Sequence, residues 1–242
     1  MTPIPLDTVL VIIPILNEAA AIVSVIETLQ ALGLRRIVVV DNGSNDRGPD
    51  LAAKAGAKVL FERRRGYGMA CWRGLQAMPT DVQWVLFCDG DGSDDLGTIP
   101  DFLSLAQQGV DLVLGDRTAT PAGRAALTPA QRFGNRLATT LIWLGWGRRY
   151  RDLGPLRLIR RAALEQIQMR DRGFGWTVEM QVRAVEGGLT QRELPVAYRP
   201  RQGGKSKISG TLRGSFQAGV IILGTLAWLY GRRLRRRQGI QA

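Results

Sequence analysis

Five short apolar runs, each followed by a stretch of helical periodicity or a loop, divide the first half of the chain, and that alternation excludes most folds at once. Val9 to Ile13, Ile37 to Val40, Val59 to Phe61, Trp84 to Cys88 and Leu112 to Leu114 have the composition of strands. Ala19 to Leu32, Asp50 to Ala55, Met69 to Met78 and Ile99 to Gln108 have that of the helices between them. Strands without polar alternation are buried on both faces, and helical crossovers between them are right-handed, so the pattern predicts an open, mostly parallel α/β sheet with helices on both sides. Ligands of such sheets bind beyond the C-terminal strand ends. Polar residues gather at those positions: Asn17 and Glu18 after the first strand, Asp41 after the second, Arg63 to Arg65 after the third, and Asp89 and Asp91 after the fourth.

After Gly115 the pattern changes. Pro121 to Thr128 is loop-like, Gln131 to Trp146 an amphipathic helix, Tyr150 to Arg161 a mixed segment, Val178 to Glu186 a helix and Leu189 to Tyr198 a strand. Arg199 to Gly210 is a basic, glycine-rich loop. Residues 214 to 231 carry no charge and are bracketed by Arg213 and by the RRLRRR tail. Eighteen helical residues reach only about 27 Å, marginal for a bilayer, so this run is expected to lie in or dip into the membrane interface.

The chain of 242 residues holds 33 Lys and Arg against 21 Asp and Glu, a net charge of +12 that calls for an anionic partner. It has no histidine, which excludes a Ser-His-Asp triad and any histidine-ligated metal and leaves acid, base and metal work to carboxylates. Two cysteines without CxxC spacing predict neither a disulfide framework nor a zinc site. The N-terminus, MTPIPLDTV, does not read as a signal peptide. A nucleic-acid partner is not expected, because no stacking motif accompanies the charge and carboxylates at strand ends repel phosphate.

Four aspartates fall within LFCDGDGSDD, residues 86 to 95. An EF-hand does not fit, since Asp94 stands at the glycine position of such a loop and Pro100 at the glutamate position. RGYGMAC lacks the third glycine of a dinucleotide fingerprint, and no phosphate-binding GxxxxGK[ST] occurs. Asp89-Gly90-Asp91 at a strand end can instead share one hard divalent cation with substrate phosphates. The alternative is an Asp-rich turn in which Ser93 or Asp94 caps the following helix.

In order along the chain, VIIPILNE, VVVDNGSNDR, RGYGMACWRG, FCDGDGSDD, LVLGDR, RFGNRLATTL, DLGPLRLIRR, GWTVEM and RQGGKSKISGT resemble the inverting glycosyltransferases of family 2, and within them the dolichyl-phosphate mannosyltransferase and polyprenyl-phosphate sugar transferase branch. The resemblance implies the GT-A fold, a Rossmann-like sheet followed by a C-terminal apolar helix. It implies a glycosyltransferase domain over 1–211, with a nucleotide-sugar half over about 1–117 and an acceptor half over about 118–211, then a membrane-associated helix and basic tail over 212–242. It places Pro14, Asn17, Glu18, Asp41, Gly66, Gly68 and Asp89 along a UDP- or GDP-sugar, the two glycines allowing close backbone approach. Asp91, with Asp89, would hold Mg2+ or Mn2+. Arg117, Arg201, Lys205 and Lys207 would meet phosphate charge, with Arg132 and Asn135 near the acceptor.

The implied reaction moves a sugar to a polyprenyl (dolichyl or undecaprenyl) phosphate on the cytoplasmic face of a membrane, which the 214–237 segment would touch or anchor. A phosphate acceptor is already ionised and needs no strong base. A hydroxyl acceptor needs one, and Asp152 or Glu179 would serve. A sugar-phosphate nucleotidyltransferase is the remaining alternative, which PILNE after the first strand disfavours, because such enzymes carry a glycine- and Lys/Arg-rich loop there.

Overall fold

A computed structural model of the chain describes residues 3–201 and the helix 212–237, in that helix with side chains from 220 to 235. Its centre is a seven-stranded sheet: β1 (Val9–Ile15), β2 (Arg36–Asp41), β3 (Lys58–Phe61), β4 (Trp84–Phe87), β5 (Leu112–Asp116), β6 (Arg157–Arg160) and β7 (Gln191–Pro195), in the order β3-β2-β1-β4-β6-β5-β7. β3, β2, β1 and β4 are mutually parallel, and β6 is inserted antiparallel between β4 and β5. β5 therefore points the same way as β4, and the C-terminal ends of β1 to β5 share one edge.

The alternation along β1 divides the core. Val9, Val11, Ile13 and Ile15 face α1 (Ile22–Ala31), α2 (Gly48–Lys54) and α4 (Ile99–Gln107), meeting Ile26, Leu29, Ala52 and Phe102. Leu10 and Ile12 face the other layer, built from α3 (Tyr67–Gln76), α6 (Pro129–Trp146), α7 (Arg161–Ile167), α8 (Trp176–Glu186) and α9 (Leu212–Arg237). Gly74 lets α3 lie directly on β1, since a Cβ there would sit 2.6 Å from Ile12 Cγ2. The chain goes from β1 outward through β2 to β3, then returns to the other side of β1 as β4. The topological switch point thus lies between the ends of β1 and β4, where an open sheet binds its ligand.

Several expectations need correction. Pro121 to Thr128 is not all loop: α5 (Pro121–Ala126) forms there, with Thr120 Oγ1 accepting from the Gly123 N–H at 3.0 Å. α6 begins at Pro129, where Thr128 and Gln131 make a reciprocal capping box, and it ends at Gly147 with φ +75°. The mixed Tyr150–Arg161 segment contains β6, and the final strand is the shorter β7. α9 runs 26 residues, and among the described residues no helix is long and apolar enough to cross a membrane.

Candidate active site

The loops after β1 and β2 are laced together. Asn17, at φ +56°, donates its N–H to Ser44 Oγ (2.8 Å), and its Oδ1 accepts from the Asn45 N–H (2.6 Å). Asp41 turns the second loop by accepting from the Ser44 N–H at 2.9 Å, a local Asx-type bond rather than a helix cap. Asn42 adds a clamp that sequence reasoning missed, donating to the carbonyls of Glu62 and Arg64 and accepting from the Gly66 N–H. Its place in a turn-forming DNGSN run was the signal available. Pro14 stays within β1, opposite Val40.

Gly66 and Gly68 are closely approached by the chain's own backbone. A Cβ on Gly68 would lie 2.7 Å from the Arg172 carbonyl carbon, and one on Gly66 2.7 Å from the Arg172 oxygen. The Gly68 N–H donates to the Gly173 carbonyl (3.0 Å), and Arg172 lies over Trp72 at 3.8 Å. These glycines therefore dock the 170–173 loop onto the start of α3.

At the end of β4 the carboxylates crowd. Gly90 is required between them, because a Cβ would meet Ile15 Cγ2 at 2.7 Å. Asp91 is buried, its Oδ1 accepting from both the N–H (2.9 Å) and the hydroxyl (2.5 Å) of Ser93. Asp94 Oδ2 accepts from the Asp89 N–H at 2.8 Å. Neither Ser93 nor Asp94 caps the following helix; both are buried and built into the acidic turn. Burial, followed by the charges of Asp94 and Asp91, holds the Asp89 carboxyl well above the usual carboxylate range. Burial likewise pushes Asp94 up to about 7.

That shift carries a stability consequence. Between the ordinary value of 3.8 and about 7, folded Asp94 keeps a proton that the unfolded chain releases. The free energy of unfolding therefore falls as pH rises through that window. Thermal denaturation of the metal-free protein is expected to show a midpoint that declines from about pH 5 to 7, with the slope flattened in Asp94→Asn, which keeps the acceptor for Asp89.

Arg201 lies across this site. The segment after β7 runs back over the acidic turn, with the Arg199 N–H donating to the Ser93 carbonyl and Tyr198 paired with Asp94. Arg201 donates to Glu18 Oε1 at 2.5 Å, and its Nε stands 3.0 Å from Asp91 Oδ2. A guanidinium thus joins the ends of β1 and β4. Lys205 and Lys207 lie outside the described residues.

A second cluster adjoins the first. Arg117, after β5, makes a bidentate pair with buried Asp152, Nε to Oδ2 at 2.7 Å and Nη2 to Oδ1 at 2.9 Å, and its N–H also donates to Oδ2. The Leu153 N–H takes the remaining Oδ1 position (2.8 Å). All four acceptor sites of this carboxylate are filled, so in this structure it clamps Arg117 and the start of the Leu153 segment. Burial works against the Arg117 charge, but Asp152 outweighs it and raises the guanidinium pKa. Asn135 holds the same loop, donating to the Arg151 carbonyl and accepting from the Leu153 N–H. Arg132, one turn earlier on α6, is exposed. Tyr198, which sequence reasoning did not single out, links the clusters, its ring 5.0 Å below Arg117 and its backbone bridged to Asp94.

Glu179 carries its carboxylate inside the fold, with both oxygens engaged. It is fully buried in α8, where Oε2 accepts from the Arg170 and Asp171 N–H groups and Oε1 pairs with Arg183 at 2.5 Å.

Among the described residues no group of three or more potential ligating side chains is arranged around one point. Magnesium and manganese in nucleotide sites need fewer, one or two carboxylates completed by substrate phosphates. Asp89 and Asp91, one residue apart at the end of β4 with Asp91 turned to the gap beside Glu18, fit that requirement.

A sequence profile of Glycosyl transferase family 2 matches residues 10–168. An uncharacterized glycosyltransferase of Mycobacterium tuberculosis is 38% identical over 218 residues, 88% of this chain and 94% of the relative. A dolichyl-phosphate hexose transferase of Haloferax volcanii is 32% identical over 206 residues, 84% of this chain and 88% of the relative. The crystal structure of glucosyl-3-phosphoglycerate synthase from Mycobacterium tuberculosis with uridine-diphosphate superposes with a TM-score of 0.74 at 21% identity, over 92% of this chain and 80% of the other. The same synthase with Mn2+, uridine-diphosphate and phosphoglyceric acid gives 0.72 at 23% identity, over 92% and 78%.

Proposed function

The chain belongs to glycosyltransferase family 2, and from that premise we propose that it moves a sugar from a nucleotide-diphosphate sugar to a phosphate-bearing acceptor, a polyprenyl phosphate at the cytoplasmic face of a membrane. The observation that carries the acceptor class is the engagement of both candidate bases. Asp152 is saturated by Arg117 and Leu153, and Glu179 by Arg183 and two backbone N–H groups. Neither of the two carboxylates is free to take a proton from a hydroxyl nucleophile, whereas a phosphate oxygen attacks already ionised. One comparison supports the class and favours the lipid: a relative named as a dolichyl-phosphate hexose transferase, 32% identical.

In this reading the nucleoside lies along the loops of Asn17 and Asp41, with the diphosphate at the switch point between Glu18 and Asp91. Asp91 and Asp89 would hold Mg2+ or Mn2+, ions found with uridine-diphosphate in the synthase structures, and a bound ion would supply positive charge to the departing diphosphate. Arg201, turning from Glu18 and Asp91, adds a second cation to that leaving group. Arg117 and Arg132 meet the acceptor phosphate, with Arg117 held in place by Asp152. One acceptor oxygen forms the new bond to the anomeric carbon as the bond to the diphosphate breaks. Attack opposite the leaving group inverts the anomeric configuration.

The test is a thermal-shift screen of UDP- and GDP-sugars with manganese, followed by transfer assays with the best donor. A short-chain polyprenyl phosphate is expected to be glycosylated, and the corresponding prenyl alcohol is not. Transfer to the alcohol at an equal rate would overturn the acceptor class, and pyrophosphate release from a nucleoside triphosphate plus sugar phosphate would overturn the reaction.

A further inference from the structure

α6 and α9 pack against each other along one side of the domain. Tyr230 stacks edge-on against Trp146 at 4.7 Å and donates to the Leu141 carbonyl, and Gly145 gives it room. Beside that seam both helices turn apolar side chains outward. On α6 Phe133 is 71% exposed and Leu144 66%, with Trp143 also open. On α9 the exposed residues are Val220, Leu223, Trp228 and Leu234. Leu223 and Leu234 fall at i−7 and i+4 from Tyr230, the residue that touches α6. Leu144 follows Leu141, the residue Tyr230 touches, by three. Leu144 of α6 and Leu223 and Leu234 of α9 therefore lie beside the seam, while Trp228 faces the other side of α9 toward Arg183. Large apolar side chains grouped in this way on a soluble face mark an interaction site.

The charges on the same helices say what it meets. α6 holds two arginines and α9 six, and neither contains a single Asp or Glu. Arg132 and Arg136 flank Phe133, Arg149 lies 4.2 Å over the Trp143 ring, and Arg232 pairs away from the surface with Glu186 while resting near Trp228. Arginine beside exposed aromatic and aliphatic side chains suits the headgroup layer of an anionic bilayer, where rings and alkyl stems sink in and guanidinium groups meet phosphate. Nucleic acid would satisfy the arginines but leave Leu144, Leu223 and Leu234 in water.

We propose that α6 and α9 together form a two-helix platform that lies on an anionic lipid surface, with Phe133 and Leu144 of α6 as its second leg. The expectation from sequence rested on the C-terminal segment alone. The added leg matters for orientation, because α6 also carries Asn135, which holds the loop of Asp152 and hence Arg117. Docking through the first turns of α6 sets Arg132 and Arg136 at the headgroup plane beside the acceptor end of the site. This orientation rests on the lipid-phosphate reading above; the docking itself does not.

Co-sedimentation of the full chain with phosphatidylcholine vesicles, with and without phosphatidylglycerol, tests it. Binding is expected to anionic vesicles and to weaken with salt. Phe133→Ser/Leu144→Ser, in a chain whose α9 is untouched, is expected to lower partitioning at least about tenfold. Arg136→Gln/Arg149→Gln is expected to lower it about tenfold or more and to reduce the salt dependence. Both variants should keep the wild-type melting temperature and the wild-type rate on a short, water-soluble prenyl phosphate. Wild-type partitioning of the α6 variants would overturn the proposal, as would absence of vesicle binding, a dimer in light scattering that the α6 variants abolish, or RNA binding in place of lipid binding. If the chain docks yet transfers nothing to lipid phosphate, the acceptor reading fails and the platform stands.

Discussion

Replacing Asp91 with alanine is expected to lower sugar transfer by about 10²- to 10³-fold or more while leaving the protein folded. The buried carboxylate has its Oδ1 fixed by two bonds from Ser93 and its Oδ2 turned to the gap between β1 and β4. Loss of it removes an acceptor of the Ser93 N–H and hydroxyl and the carboxylate beside Arg201 Nε, at about 1–3 kcal/mol. It also removes a like charge that helps to push Asp89 and Asp94 upward, which offsets part of that cost. The melting temperature of the metal-free protein should therefore move by only a few degrees, whereas the rise produced by manganese and nucleotide should vanish. Asp91→Asn keeps an acceptor for Ser93 and loses only the charge, so it should behave like the alanine in activity and like wild type in stability. Initial rates and thermal shifts on the three proteins check this, and near-normal transfer by either variant would remove Asp91 from the site.

The acidic turn was readable because it is local. Asp89, Gly90 and Asp91 follow an apolar strand within three residues, and the sheet rule assigns that end to ligands. The first five strands were readable for the same reason, being unbroken β-branched or aromatic runs. β6 was not, since RLIR carries an arginine whose side chain is buried and donates to the carbonyls of Gly154 and Thr177. A buried guanidinium looks like a surface residue until its partners are in place. The glycines of RGYGM were identified as points of close approach, and the backbone of Arg172, more than 100 positions later, approaches them. Arg201 meets Glu18 across 183 residues, and no periodicity reports such a contact. The partners of Asp152 and Glu179 were not legible, because what fills a carboxylate's lone pairs comes from outside its own segment, such as Arg117 for Asp152 and the Arg170 and Asp171 N–H groups for Glu179.

Asp152 is the sharpest case, and Asp152→Ala is expected to cost about 3–5 kcal/mol of stability, because it strands Arg117 in a site with little water. Asp152→Asn is expected to be nearly as damaging. Its amide would present a donor where the Arg117 N–H and Nε or the Leu153 N–H now donate, so at least one buried group loses its partner. A general base would respond differently: the asparagine variant would fold normally, and its pH–rate profile would lose the acidic limb. Replacing both partners, Arg117→Met with Asp152→Leu, should recover much of the stability, since no buried charge is then left unpaired. It should not recover transfer, because the guanidinium that meets the acceptor is gone. Denaturation curves for the single and double variants, read beside their rates, separate the two roles. A folded, inactive Asp152→Asn would make this carboxylate the base of a hydroxyl acceptor. A destabilised single variant rescued by the double in stability alone makes it the support that keeps Arg117 charged and aimed.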